Sequence, residues 1–147
     1  MKKIIILSGG FDPVHKGHIR MFKAAKEFPS IVIVGANSDK WLIRKKGSAF
    51  MCWEERREIL ESVRFIDEVC SFNDDDGSAC DLIRIVNERF CDDENCSIAF
   101  GNGGDRTNSN SPEVDYCFDN NIELIWGLGG GKIQSSSDLI NRSEKIK

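Results

Sequence analysis

The sequence predicts an α/β fold in which helices cover both faces of a five-stranded parallel sheet. Two observations support this fold class. Strand-like apolar runs and amphipathic helical segments alternate along the whole chain. The first two apolar runs, residues 3–7 and 31–34, show no polar alternation, which is typical of strands buried on both faces. We find no internal repeat or linker, so we expect residues 1–147 to form one domain.

The first part of the chain contains three predicted strands and two predicted helices. Residues 3–7 and 31–34 are the first two strands, and residues 68–72 form a short third strand. Helices are predicted at residues 17–28 and 54–63, because apolar side chains recur there every three or four residues.

The second part of the chain continues the alternation. Helical spacing between residues 82 and 90 predicts a third helix, and residues 97–100 and 122–126 are the fourth and fifth strands. Ser111 and Pro112 predict a helix start, because serine favours the N-cap and proline the first helical position. A last helix is predicted after the serines near residue 135. The order is that of a doubly wound, Rossmann-like sheet, which binds ligands at the carboxyl ends of its strands.

Charge and composition argue against several classes of function. The net charge of −4 and the lack of a long basic segment argue against a nucleic-acid binder. No apolar stretch has the length of a signal peptide or a membrane span, so no membrane partner is expected. The six cysteines form no CxxC pair, and reduced thiols in the cytoplasm are the expected state and location.

Residues 73–76, with the sequence NDDD, form the densest acidic run. Such a run between a strand and a helix predicts a solvated turn, and metal binding by clustered carboxylates is the alternative.

The two histidines of the chain both lie in residues 8–18, which read SGGFDPVHKGH. His15 and His18 are three residues apart at a predicted helix start, so their rings share one helix face. Gly17 allows a ligand to approach the backbone closely, and the helix N-terminus offers N–H groups to an anion. This combination favours a polyphosphate site. An incidental surface pair or a histidine satisfied in the core is the alternative.

Three motifs in order resemble the nucleotidyltransferase superfamily that carries the HxGH signature. The first is HKGH at residues 15–18 with the preceding GGFDPV, the second is FMCWEER at residues 50–56, and the third is the serine triplet at residues 135–137. The superfamily includes cytidylyltransferases, adenylyltransferases and relatives of class I aminoacyl-tRNA synthetases.

The resemblance implies a reaction in which an acceptor phosphate attacks the α-phosphorus of a nucleoside triphosphate and pyrophosphate leaves. His15 and His18 would contact the triphosphate and stabilise the transition state as catalytic residues. Mg²⁺ would accompany the β- and γ-phosphates.

The resemblance also implies a nucleotide site built on the first loop. The backbone of Gly9, Gly10 and Phe11 would form its floor, next to Gly17. Asp12 is either a further nucleotide-binding residue or a turn residue.

A basic cluster at residues 44–46 follows the second strand and is expected in a loop. By resemblance, a lysine there draws the two phosphate groups together. Lys46 is favoured for this catalytic role and Lys45 for acceptor binding, with a solvated charge run as the alternative.

Two later segments resemble nucleotide-binding elements of the superfamily. In the loop after the fourth strand, Gly104 and Asp105 would lie near the ribose, and Arg106 could hold an acceptor phosphate with its guanidinium. The hydroxyls and amides of the serine triplet would bind an anion at the last helix N-terminus, or form an ordinary N-cap. The nucleotide-binding residues implied there are Ser135, Ser136 and Ser137.

One departure concerns the choice of nucleotide. Cytidylyltransferases of the glycerol-phosphate type carry an arginine just before the last motif, whereas this chain offers Lys132 as a point charge for the acceptor. The glycine-rich segment at residues 127–132 does not have P-loop spacing.

The sequence thus predicts a nucleotidyltransferase that uses CTP and a phosphorylated polyol, sugar or amine. An adenylyltransferase using ATP and a non-catalytic nucleotide sensor are the alternatives, and the resemblance implies a possible homodimer.

Overall fold

The computed structural model describes residues 2–103, 111–130 and Ile140. The start of the predicted last helix and seven predicted site residues lie outside this range. They are Gly104, Asp105, Arg106, Lys132, Ser135, Ser136 and Ser137.

Strands and helices alternate in the described part of the chain. The strands are β1 (Lys2–Gly9), β2 (Ser30–Ala36), β3 (Glu68–Cys70), β4 (Cys96–Gly103) and β5 (Glu123–Leu128). The helices are α1 (Lys16–Lys26), α2 (Asp39–Lys46), α3 (Trp53–Glu61), α4 (Cys80–Phe90) and α5 (Pro112–Asp119). None of these described helices has the length and apolar character needed to cross a bilayer.

The strands form one sheet in the order β3-β2-β1-β4-β5, and every neighbouring pair is parallel. The predicted α/β class with a five-stranded parallel sheet is therefore confirmed. Since all strands run the same way, the loops that follow them meet at one edge of the sheet.

Side chains of β1 alternate between two hydrophobic cores. Ile5 and Leu7 belong to the first core, together with buried side chains of α1 and α3. Ile4 and Ile6 belong to the second core, together with those of α4 and α5. All four side chains are 0% exposed, and burying each one stabilises the fold by roughly 1.5–3 kcal/mol. This alternation explains why the strand is uniformly apolar in sequence.

Helix α2 corrects the expectation that residues 44–46 lie in a loop. The hydroxyl of Ser38 caps the helix by accepting the Trp41 N–H at 3.1 Å, and Gly47 closes it with a φ of 87°. The sequence pattern missed this helix because Leu42 is its single buried residue, so it carries no apolar repeat. The basic cluster consequently occupies the last turn of a helix.

Candidate active site

His15 and His18 cap the N-terminus of α1 reciprocally. The Nδ1 atom of His15 accepts the N–H of Gly17 at 3.1 Å. The Nδ1 atom of His18 accepts the N–H of His15 at 3.2 Å. The two rings stack with their centroids 3.8 Å apart. This is the arrangement of a capping box, with imidazoles in place of the usual hydroxyl and carboxylate.

The capping bonds define which nitrogen of each ring can donate. A nitrogen that accepts an N–H carries no proton, so each neutral ring has its hydrogen on Nε2. The pKa of His18 is lowered to about 3, first by burial and then by the charges of His15 and Lys46. At neutral pH His18 is therefore an uncharged ring that donates from Nε2.

Phe11 packs its ring against His18 of the histidine pair. Its backbone has a φ of 51°, and its side chain is 2% exposed. The ring meets that of His18 edge to face, with the centroids 4.9 Å apart. A Cβ at Gly9, the last residue of β1, would lie only 3.1 Å from the Phe11 ring, so a larger residue there would require this ring to shift.

A cleft of about 320 Å³ opens at the edge of the sheet where the strands end. It begins at His18 on the α1 face and reaches the starts of α4 and α5 on the opposite face. Its lining residues are Ser8, Gly9, Gly10, Phe11, His18, Asn37, Trp41, Lys45, Lys46, Gly77, Ala79 and Glu113.

Lys45 and Lys46 bring positive charge to this cleft from the last turn of α2. The ammonium of Lys45 lies 4.6 Å from the centre of the Trp41 ring, a cation–π contact. The charge of Lys46 contributes to the low pKa of His18, which places the two side chains in one electrostatic environment. Two cations beside a neutral donor ring suit a ligand with several phosphate oxygens.

Arg56 joins the loops beneath the cleft and is 0% exposed. Its NH1 atom donates to the carbonyls of Gly10 and Asn37, both at 2.7 Å. Its Nε donates to the Met51 carbonyl at 3.1 Å, and its NH2 pairs with Asp39 at 2.8 Å. The planar guanidinium thus satisfies four acceptors at once and holds the loops after β1 and β2 together. In the sequence, Arg56 is part of the motif at residues 50–56, and that motif predicted no role for this side chain.

Asp12 is buried, and its carboxylate is occupied by backbone donors. The N–H groups of Phe50 and Met51 donate to its two oxygens, each at 2.7 Å. These contacts fasten the first loop to the segment before α3 and favour the structural alternative for this residue. Its nucleotide contact stays a prediction.

Asp74 corrects the expectation of a solvated acidic turn, because it is 2% exposed. Its carboxylate accepts the side-chain amide of Asn37 at 3.1 Å and both the N–H and the hydroxyl of Ser38 at 2.7 Å. The neighbours Asp75 and Asp76 are exposed, as expected. In the described ranges, no group of three His, Cys, Asp or Glu residues could hold a metal ion.

The structure therefore brings most of the described predicted residues together. Gly9, Gly10, Phe11 and His18 line the cleft with both lysines, while His15 stacks on His18 and Gly17 lies in the same first turn. The sequence assigned no site role to the other lining residues, which are Ser8, Asn37, Trp41, Gly77, Ala79 and Glu113. Three of them carried a signal. Ser8 and Asn37 begin the loops after the first two predicted strands, where such sheets bind ligands, and Glu113 is an acid in the first turn of a predicted helix.

Comparisons with known proteins identify a family and several similar proteins. A family model described as cytidylyltransferase-like matches residues 6–126. Glycerol-3-phosphate cytidylyltransferase of Bacillus subtilis (strain 168) is 38% identical over 69 residues, which are 47% of this chain and 53% of that protein. The bifunctional protein HldE of Sulfurimonas denitrificans is 34% identical over 87 residues, which are 58% of this chain and 18% of that protein.

The matched region thus spans about half the length of the first relative and under a fifth of the second. Among solved structures, the lipopolysaccharide core biosynthesis protein from Thermoplasma volcanium GSS1 superposes with a TM-score of 0.61 at 16% identity. That superposition covers 84% of this chain and 93% of the other, and it shows a shared fold.

Proposed function

The chain belongs to the cytidylyltransferase-like family, and from this membership we propose that it transfers a nucleotidyl group from a nucleoside triphosphate to a small phosphorylated acceptor. The observation that carries the proposal is the capped pair of imidazoles. His18 is fixed as a neutral donor in a cleft that also receives Lys45 and Lys46.

The chemistry needs alignment and charge stabilisation more than proton transfer. An oxygen of the acceptor phosphate forms a bond to the α-phosphorus as the bond to the bridging oxygen breaks, and pyrophosphate leaves with that electron pair. His15 and His18 donate from Nε2 to the phosphoryl oxygens where negative charge increases. Lys46 offsets the repulsion between the two anions and so helps to bring them into line.

Magnesium enters this scheme as part of the nucleotide substrate. Mg²⁺ binds phosphate oxygens readily and keeps several of its waters, so it requires few protein ligands. The described residues, which offer donors and cations but no cluster of metal ligands, fit a nucleotide that carries its own ion.

CTP is the favoured nucleotide, because the Bacillus subtilis relative is named a cytidylyltransferase. ATP is the alternative, since adenylyltransferases of the same superfamily share the HxGH motif. The acceptor is proposed to be a phosphorylated polyol, sugar or amino compound.

Two measurements test the proposal. Thermal shift with CTP, ATP, GTP and UTP plus magnesium identifies the nucleotide, because a ligand that binds the folded state raises the melting temperature. Pyrophosphate release is then measured with that nucleotide and a broad panel of phosphorylated polyols, sugars, amines and hydroxy acids. Turnover with one acceptor class supports the proposal. Nucleotide binding without turnover across the panel contradicts it and indicates a nucleotide sensor.

A further inference from the structure

Glu113 lies in the first turn of α5 and reaches the start of α4. Its Oε1 atom accepts the N–H of Ala79, the N-cap of α4, at 3.1 Å. Among the described residues, Ala79 provides the one hydrogen bond to this carboxylate. A carboxylate has two oxygens and about four acceptor sites, so Glu113 can accept further donors.

Glu113 is the single acidic residue among the described side chains that line the cleft. Glu113 lies in α5, which covers one face of the sheet together with α4, whereas His18 lies in α1 on the other face. The cleft connects them across the edge of the sheet. A ligand that spans it would have one end at the histidine and the other at the carboxylate.

The wall between the lysines and Glu113 is continuous. The indole Nε1 of Trp41 donates to the carbonyl of Gly77 at 3.2 Å, which joins α2 to the loop before α4. Trp41 also contacts Lys45. Trp41, Gly77 and Ala79 therefore bound one compartment that is cationic at α2 and anionic at α5.

This charge arrangement suits one class of acceptor. A phosphate placed beside Glu113 would be repelled, whereas a hydroxyl or an ammonium group could donate to its carboxylate. We propose that Glu113 determines acceptor specificity by binding a hydroxyl or ammonium group at the end of the acceptor remote from the phosphate, and that it disfavours acceptors with a carboxylate there. This inference rests on the proposed function, because it assigns the compartment to the acceptor.

A purely structural role for Glu113 makes a different prediction. If the side chain served only to join α5 to α4, Glu113→Gln would keep that role, because a glutamine amide oxygen can also accept the Ala79 N–H. The substitution removes the charge and replaces the second carboxylate oxygen by an NH2 donor, so the site for a ligand donor is lost while the Ala79 bond is kept. Asp115→Asn is the matched control, since Asp115 lies in the same helix and is exposed outside the cleft.

The test compares acceptors in the pyrophosphate-release assay. The probes are glycerol 3-phosphate with hydroxyls, phosphoethanolamine with an ammonium and 3-phosphoglycerate with a carboxylate, followed by the rest of the acceptor panel. We expect Glu113→Gln to raise KM for acceptors with a hydroxyl or ammonium by about 10- to 100-fold, most strongly for the ammonium. KM for the nucleotide should be unchanged, and discrimination against the carboxylate should fall. Asp115→Asn should match the wild type.

The outcomes separate this inference from the proposed function. If the wild type releases pyrophosphate and Glu113→Gln leaves its acceptor preference unchanged, the assignment of Glu113 is overturned while the proposed function stands. If the wild type releases no pyrophosphate with any acceptor, both are overturned.

Discussion

At the scale of single residues, His18 has a structural role that its capping bond shows and a catalytic role that we propose. Its Nδ1 caps α1, which leaves Nε2 as the donor for a ligand. These two roles can be separated by substitution, because asparagine places a polar atom near the position of Nδ1 and glutamine places one near that of Nε2.

We expect His18→Asn to fold and to lose catalysis. The asparagine oxygen can keep the bond to the His15 N–H, so the melting temperature should stay close to that of the wild type. Loss of the Nε2 donor should lower kcat by about 10²–10³-fold. His18→Gln should retain more turnover, and its stability should also stay close to that of the wild type, because a glutamine at the third helical position can bond back to the N-cap N–H. Turnover of the asparagine variant near the wild-type rate would restrict His18 to capping.

The low pKa of His18 predicts how stability depends on pH. The pKa is about 3 in the folded chain and 6.5 in the unfolded chain, so between these values the unfolded state binds more protons. Above pH 6.5 the titration of His18 does not lower the free energy of unfolding. As the pH decreases from 6.5 towards 3, the free energy of unfolding falls by up to about 1.4 kcal/mol per pH unit. Denaturant titrations between pH 4 and 7 should show this loss in the wild type. The loss should be smaller in His18→Asn, and equal slopes in both proteins would refute the assignment.

At the scale of elements, the sequence predicted those helices best that begin with a recognisable N-cap sequence or bury an apolar stripe. Ser111 and Pro112 correctly placed the beginning of α5. Helix α2 could not be predicted from apolar spacing, because tertiary hydrogen bonds rather than a buried stripe hold it. Its N-cap Ser38 is bound by Asp74, a residue distant in sequence. No local pattern indicates that such an aspartate is buried.

Asp74 should therefore be essential to the position of α2. We expect Asp74→Ala to lower the free energy of unfolding by roughly 1–3 kcal/mol, because the amide of Asn37 and the donors of Ser38 lose their partner. Asp75→Ala is the control, and we expect a change within about 0.5 kcal/mol, since Asp75 is exposed. Chemical denaturation measures both values. Equal stability of the two variants would show that the Asp74 bonds do not support α2.

At the scale of the whole molecule, the sheet brings together loops that are far apart in the sequence. Alternation of apolar runs was enough to predict the class and the parallel sheet, because each run forms its own strand. The walls of the cleft that come from α4 and α5 could not be predicted, since their positions depend on which face of the sheet each helix covers. Arg56 shows the same limit, because its four acceptors converge only in the fold.

Gly129, just after β5, packs against the helix that carries the histidines. A Cβ there would lie 2.7 Å from the backbone nitrogen of Met21, and the φ of Gly129 is 80°. Gly127 has a φ of 70°, but a Cβ there would meet no atom within 4 Å. We expect Gly127→Ala to cost about 1–2 kcal/mol from backbone strain, and Gly129→Ala to cost about 1–3 kcal/mol more from the clash. Thermal and denaturant unfolding of the two variants measure the difference, and equal losses would mean that α1 can move away at no cost.

The stacked, reciprocally bonded imidazoles have a consequence for the energetics of ligand capture. Both rings lose their rotamer entropy as the first turn of α1 forms, so substrate arrival need not immobilise them again. If a residue with a long, mobile side chain replaced one of the histidines, its donor could restore the hydrogen bond to a ligand. That side chain would still lose rotamer entropy each time a ligand binds.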